Sequence, residues 1–265
     1  MGGNLSTGFL TVATSGAKLA APPSLHTINH AGIVMRTATA AVAAFLTLTV
    51  WYGATCSAGA GTIKGTVRLA AGPVEVKKVK VTVDHTTCGT TKDAEDVVVS
   101  PDMGLRNAVV SLVTPPPDAK RSVAPTVQMD QKQCVFIPRV VIVPVGGTVE
   151  FLNGDRLLHN LHSASGGDNP TFNRTQPKGR AIPIAFRRPE IVRIDCDLHP
   201  WMRAWVVVAE HPFYALTNDK GEFALENVPP GAYTLQIWHE ILPVVKKDVA
   251  VSDGTTAVTV EMVRK

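Results

Sequence analysis

Short β-branched runs decide what this chain can fold into. Beyond residue 60 no long apolar pattern of period 3.6 appears. Instead, runs such as Thr62 to Leu69, Val79 to Val83, Thr148 to Leu152 and Glu222 to Val228 are broken by Gly, Pro, Asn and Asp. Alternation at period two sets one face of a strand on a core and the other toward water, and the breakers supply the turns between strands. The expected fold class is all-β. A length of 265 residues allows one to three such domains.

The first 60 residues follow a different pattern. Met35-Arg36 precedes an uncharged run from Thr37 to Tyr52, and small residues follow at Ala58 and Ala60. A charged start, an apolar stretch and small residues before a cut site are the parts of a secretory signal. Cleavage is expected near Gly61. The alternative is a retained membrane anchor, because the run is long enough to span. Residues 1–34 then form an extension from an upstream start. Cys56 lacks the large aliphatic residue nearby that a lipidation site wants. Residues 1–60 carry Lys18 and Arg36 and no acid, so their loss takes the net charge from +4 to +2. That balance gives no basis for nucleic-acid binding.

Export makes the cysteines informative. Cleavage removes Cys56 and leaves Cys88, Cys134 and Cys196, and an odd count in an oxidising compartment leaves one thiol unpaired. Cys88, before Gly89 in a loop, and Cys134, before a strand, are able to pair. Cys196 is then the odd one, either a metal ligand or a buried free thiol.

The stretch Cys196-Asp197-Leu198-His199-Pro200-Trp201-Met202 favours the ligand. A thiolate donor, an imidazole and a thioether, each separated by two residues, are the soft set that suits copper: Cys with two His in a plane and Met as a weak axial ligand. In the strand before it, Val192, Ile194 and Cys196 share one face, so the thiol points into a core. The second imidazole comes from His159-Asn160-Leu161-His162. Residues three apart on a strand face opposite sides, so at most one of the two easily points inward. A rival site uses His159, His162, Cys196 and His199 as four zinc ligands, with Met202 in the core.

This loop, with Val145 to Asn153 and His159-Asn160 upstream, resembles the cupredoxins over roughly Val127 to Ala209. The resemblance implies a Greek-key β-sandwich holding a mononuclear copper through His159, Cys196, His199 and Met202. It also implies that the Asn after the first histidine ties the two ligand loops together. The His199-x2-Met202 spacing is shorter than in plastocyanin-like loops and matches the binuclear copper loop of cytochrome oxidase, which carries two cysteines. From His211 onward, Asn218-Asp219-Lys220-Gly221, then Phe223-x-Leu225 and Val228-Pro229-Pro230-Gly231-x-Tyr233-x-Leu235 resemble a carboxypeptidase-regulatory-like, transthyretin-type β-sandwich, a module without catalytic residues. The pairing resembles exported bacterial proteins labelled methylamine-utilisation-like.

The expected organisation is an N-terminal extension and signal peptide (or anchor) over 1–60, a β segment over 61–125, a cupredoxin-like copper domain over 126–209 and a second β-sandwich over 210–265. Pro115-Pro116-Pro117 to Pro125 marks the first boundary. The 61–125 segment is short of strands for a domain of its own and is able to donate them to its neighbour. Ser163 to Lys178 reads as a loop at the site mouth, and Trp201 and Trp205 as core residues, an aromatic shield or an electron exit. His85, His211 and His239 have no spaced partners and read as surface or loop histidines. Asp155, Asp168 and Asp195 form no acid–base pair, and Ser163 beside His162 is no triad.

Two function classes follow. One is an exported copper protein, periplasmic or at the cell surface, that carries electrons to a redox partner protein, has no substrate of its own and keeps one imidazole near the surface. The other is a structural or glycan-binding sandwich protein with zinc or no metal. Neither is an enzyme, and contact with a membrane requires the anchor.

Overall fold

A computed structural model of the protein describes residues 59–70, 75–119 and 125–264. The expected signal peptide or anchor and Cys56 fall outside these residues. No helix among the described residues is long and apolar enough to cross a membrane.

The described chain is almost entirely β, as its short branched runs require. In order it forms β1 (Gly61–Ala70), β2 (Lys78–Lys80), the single-turn α1 (His85–Cys88), β3 (Thr91–Asp93) and β4 (Val109–Leu112). There follow β5 (Thr126–Lys132), β6 (Val135–Ile137), β7 (Val140–Pro144), β8 (Thr148–Asn153), β9 (His159–Ala164) and β10 (Asn173–Gln176). Next come β11 (Ile182–Ala185), β12 (Glu190–Asp195) and β13 (Arg203–Ala209). The last five are β14 (Tyr214–Leu216), β15 (Glu222–Val228), β16 (Gly231–Trp238), β17 (Val245–Val251) and β18 (Thr255–Val263).

Four sheets make two sandwiches. In the first, the sheet β10-β9-β12-β13-β7 faces β11-β8-β5-β6 across a core that includes Met129, Phe151, Leu161, Phe186, Ile194 and Val206. In the second, β15-β1-β18 faces β14-β4-β16-β17 across Ile63, Val67, Leu105, Leu235, Ile237 and Met262. The segment 61–125 therefore contributes β1 and β4 to sheets built with strands of 210–265. β1 lies between β15, antiparallel, and β18, parallel, and β4 between β14 and β16. An N-terminal strand buried in the middle of a sheet explains why its segment is too short to close a core alone. The stretch from β2 to β3 pairs only with itself, a two-stranded strap whose Val81 and Cys88 are buried against the first core.

Strand alternation also joins the sandwiches. In β13, Ala204, Val206 and Val208 enter the first core, while Trp205 and Val207 point the other way to meet Val109, Val140 and Trp238. A strand covered on both faces reads as a continuous apolar run, which is the pattern of Trp205-Val206-Val207-Val208-Ala209. At the edge of this contact Arg139 grips Glu240 with two bonds, Nε to Oε1 at 2.6 Å and a terminal nitrogen to Oε2 at 2.9 Å. The Trp205 indole donates to the same carboxylate at 3.2 Å.

His211 and His239 differ from expectation, since both are buried in the bends that follow β13 and β16. Neither bend is free loop, because the second sandwich closes over the first at these points. Burial is the main cause that pushes the His239 imidazole down to about 4, with Arg139 adding to it and Glu240 and Asp96 opposing. The sign of the pH effect follows. The unfolded imidazole takes a proton near its ordinary 6.5 while the folded one refuses it until about 4. Stability is therefore complete above that upper value and falls as pH drops toward the lower one, by roughly 3 kcal/mol in all. Urea midpoints at pH 7 and pH 4.5 should differ more for the unaltered protein than for His239→Gln. Equal differences would remove His239 as the cause.

Candidate metal centre

Three donors meet at one end of the first sandwich. His159 opens β9, where pairing with Gln176 of β10 fixes its direction. Cys196 follows β12 on the face of Val192 and Ile194, and all three are buried. His199 lies in the turn between β12 and β13, which Cys196 N–H to Met202 O (3.3 Å) and Met202 N–H to His199 O (2.9 Å) hold closed. The two Nδ1 atoms are 3.0 Å apart, and Cys196 Sγ lies 3.5 Å from His199 Nδ1 and 3.9 Å from His159 Nδ1. Both rings are fully buried. Met202 is buried in the core from the same turn.

Each far ring nitrogen faces a carboxylate. His159 Nε2 is 2.9 Å from Asp155 Oδ2, and His199 Nε2 is 3.0 Å from Asp84 Oδ2. A carboxylate accepts, so each Nε2 donates a proton outward and each Nδ1 is the nitrogen that faces the shared point. Burial pulls the His159 imidazole below its ordinary range, against the Asp155 hydrogen bond, which raises it. Burial likewise pushes the Cys196 thiol up, opposed by N–H groups of Asn160, His199 and Leu198. A neutral thiol and the neutral His159 imidazole thus converge with the His199 ring, and a cation bound there would displace the thiol proton.

Asn160 ties the two ligand-bearing segments. Its Oδ1 accepts from Asp197 N–H at 2.6 Å, and its own N–H points at Cys196 Sγ at 3.5 Å. Asn173, in the stretch expected to be loop, belongs to β10 and donates to Asp197 Oδ2 at 2.6 Å. The strand forms there because Asn173 to Gln176 extend the free edge of β9.

His162 does not join the cluster. It faces the other side of β9, with its ring 42% exposed and paired to Asp197 at 2.9 Å. The four-ligand zinc arrangement is not brought together. Asp195 is held by Arg193 and Arg203, and Asp168 lies 3.8 Å from Arg188. The Trp201 ring is 5.2 Å from that of His199, and Trp205 packs on Trp238 between the sandwiches.

The two carboxylates are what sequence reasoning passed over. Asp155 also accepts the N–H groups of Gln133 and Cys134, at 2.6 and 2.8 Å. Those residues form the two-residue turn between β5 and β6, both at positive φ, a conformation that favours Asn-Gly. Asp155 and the disulfide between Cys88 and Cys134 hold this turn in place of glycine. Spacing gives no signal for Asp84, which is 115 residues from His199.

No family model matches the chain and no curated protein does. Among solved structures, it is similar to a copper-containing nitrite reductase from Thermus scotoductus at 25% identity, covering 37% of this chain and 25% of that one, with a TM-score of 0.31. It therefore spans about a quarter of that protein's length. A purple cupredoxin from Nitrosopumilus maritimus is similar at 24% identity over 31% of this chain and 99% of its own, with a TM-score of 0.28. Amicyanin from Paracoccus versutus is similar at 23% identity over 38% and 97%, with a TM-score of 0.29.

Proposed function

We propose that this is an exported copper-binding protein of cupredoxin type that carries single electrons. The observation that carries the reading is the convergence of His159 Nδ1, His199 Nδ1 and Cys196 Sγ within 3.9 Å, with both protonated Nε2 atoms turned outward onto carboxylates. Two imidazoles and a soft sulfur suit copper, and Met202 from the same turn would add a weak thioether donor. A copper ion held by these donors would supply the one-electron Cu(I)/Cu(II) chemistry. The chain's own residues fix the donors, bury them and keep water away.

The absence of a substrate is part of the same proposal. Asp84 and Asp155, the carboxylates beside the donors, are both already engaged by imidazoles, so neither is free as an acid or base. Neither imidazole reaches the surface, contrary to expectation, because Asp84 covers His199. The route to a redox partner protein then runs past the His199 edge, where half-buried Trp201 and the 44% exposed Leu198 border the site. Export, to the periplasm or cell surface, fits a disulfide, which persists in oxidising compartments.

Azide titration and voltammetry of the copper-loaded protein test this reading. Reversible one-electron waves and a visible spectrum unmoved by azide are expected of a closed carrier site. A large azide-dependent shift would mean an open position and small-molecule chemistry.

A further inference from the structure

We infer that Asp84 is a positioning residue for the metal centre, delivered to His199 by a strap that the Cys88–Cys134 disulfide pins in place. The inference rests on the proposed copper reading for its purpose, and on geometry for its substance.

Asp84 comes from the strap and from none of the four sheets of the sandwiches. It follows β2 and precedes α1, and its carbonyl accepts the N–H groups of Thr87 and Cys88 at 3.0 and 2.9 Å. Its backbone is left-handed, with φ 53° and ψ 37°, which Asp adopts more readily than most residues but still at some cost. That conformation is kept where the surroundings over-determine it. One turn later Cys88 is bonded to Cys134, and Cys134 is itself fixed to the site. Its N–H donates to Asp155, whose Oδ2 holds His159. Its carbonyl accepts from the Trp201 indole at 3.0 Å, and Trp201 packs on the His199 ring. A single disulfide therefore links the two carboxylates that hold the two imidazoles.

The consequence for His199 is geometric. Its ring has no exposed surface, while the Asp84 side chain above it is 51% exposed. Asp84 is the layer between the imidazole and water. By accepting from Nε2 it selects the tautomer that leaves Nδ1 free, and it aims Nδ1 at the point shared with Cys196 and His159. Partners of this kind orient a ligating imidazole, and their loss typically lowers metal affinity by about 10- to 100-fold.

Nitrogen-15 histidine spectra of the metal-free full-length protein provide the test, with Asp84→Asn and Asp84→Ala beside the unaltered chain. Free-thiol counts verify that each variant keeps the disulfide and hence the seated strap. The unaltered protein should show His199 protonated at Nε2 with slow proton exchange. Asp84→Asn, whose amide oxygen still accepts, should retain that tautomer. Asp84→Ala should lose the slow exchange, and competition with a coloured Cu(I) chelator should show Cu(I) held about 10- to 100-fold less tightly. A His199 signal unmoved in Asp84→Ala, or protonation at Nδ1 in the unaltered protein, would overturn the inference. Neither spectrum needs a metal, so failure of the unaltered chain to take up copper is a separate result that falls on the copper reading alone.

Discussion

Cys196→Ser is expected to abolish the visible absorption of the copper-loaded protein while leaving the fold intact. The intense band of such a centre requires a thiolate donor, and the other donors here are imidazoles and a thioether. Serine replaces a sulfur that is buried on the same strand face as Val192 and Ile194. It is smaller and accepts the Asn160 N–H as well as sulfur does, so the local packing survives. Copper should bind weakly or not at all, and any residual complex should be pale. Retention of the unaltered spectrum would remove Cys196 from the centre. Titration with Cu(II), followed from the visible into the near infrared, decides this.

Loss of the Cys88–Cys134 bridge should produce the largest change in stability. The cysteines are 46 residues apart, and closing a loop of that length restricts the unfolded chain by about 4 kcal/mol on chain-entropy grounds. The double variant Cys88→Ala, Cys134→Ala should unfold at correspondingly lower urea concentration. The structure adds a local consequence. Without the bridge the strap keeps the β2–β3 pairing, a few turn hydrogen bonds and the buried Val81, but loses its one covalent tie beside Asp84, so Asp84 should leave His199 more often and the imidazole should exchange its Nε2 proton faster. A stability change below about 1 kcal/mol, with exchange at His199 unaltered, would show that other contacts hold the strap.

How much of this was legible beforehand depended on whether information was local. Strands in 210–265 were legible because alternation and turn chemistry coincide: Asn218 Oδ1 accepts from Lys220 and Glu222 N–H, and Gly221 takes a positive φ that glycine tolerates. The Cys196-to-Met202 turn was legible because its donors lie within seven residues. His159 and His162 were separable because β9 is a strand and sends them to opposite faces. β10 was missed because Asn173-Arg174-Thr175-Gln176 has no apolar alternation; it is a strand only because β9 offers it an edge. The carboxylates escaped for a different reason. Asp84 and Asp155 acquire their roles from a disulfide and a tight turn that join distant segments, and neither role leaves a spacing in the chain. The place of β1 in the second sandwich was likewise undetermined by its own residues, since parallel pairing with β18 depends on a strand almost 200 residues away.

The central question is which metal the three converging donors hold and how. Copper-edge X-ray absorption on the full-length protein, with metal content counted per chain, measures this. One copper per chain, with a single sulfur and two imidazole nitrogens in its inner shell, is the predicted result. A chain that takes up zinc in preference to copper, or holds copper without a sulfur neighbour, would contradict it.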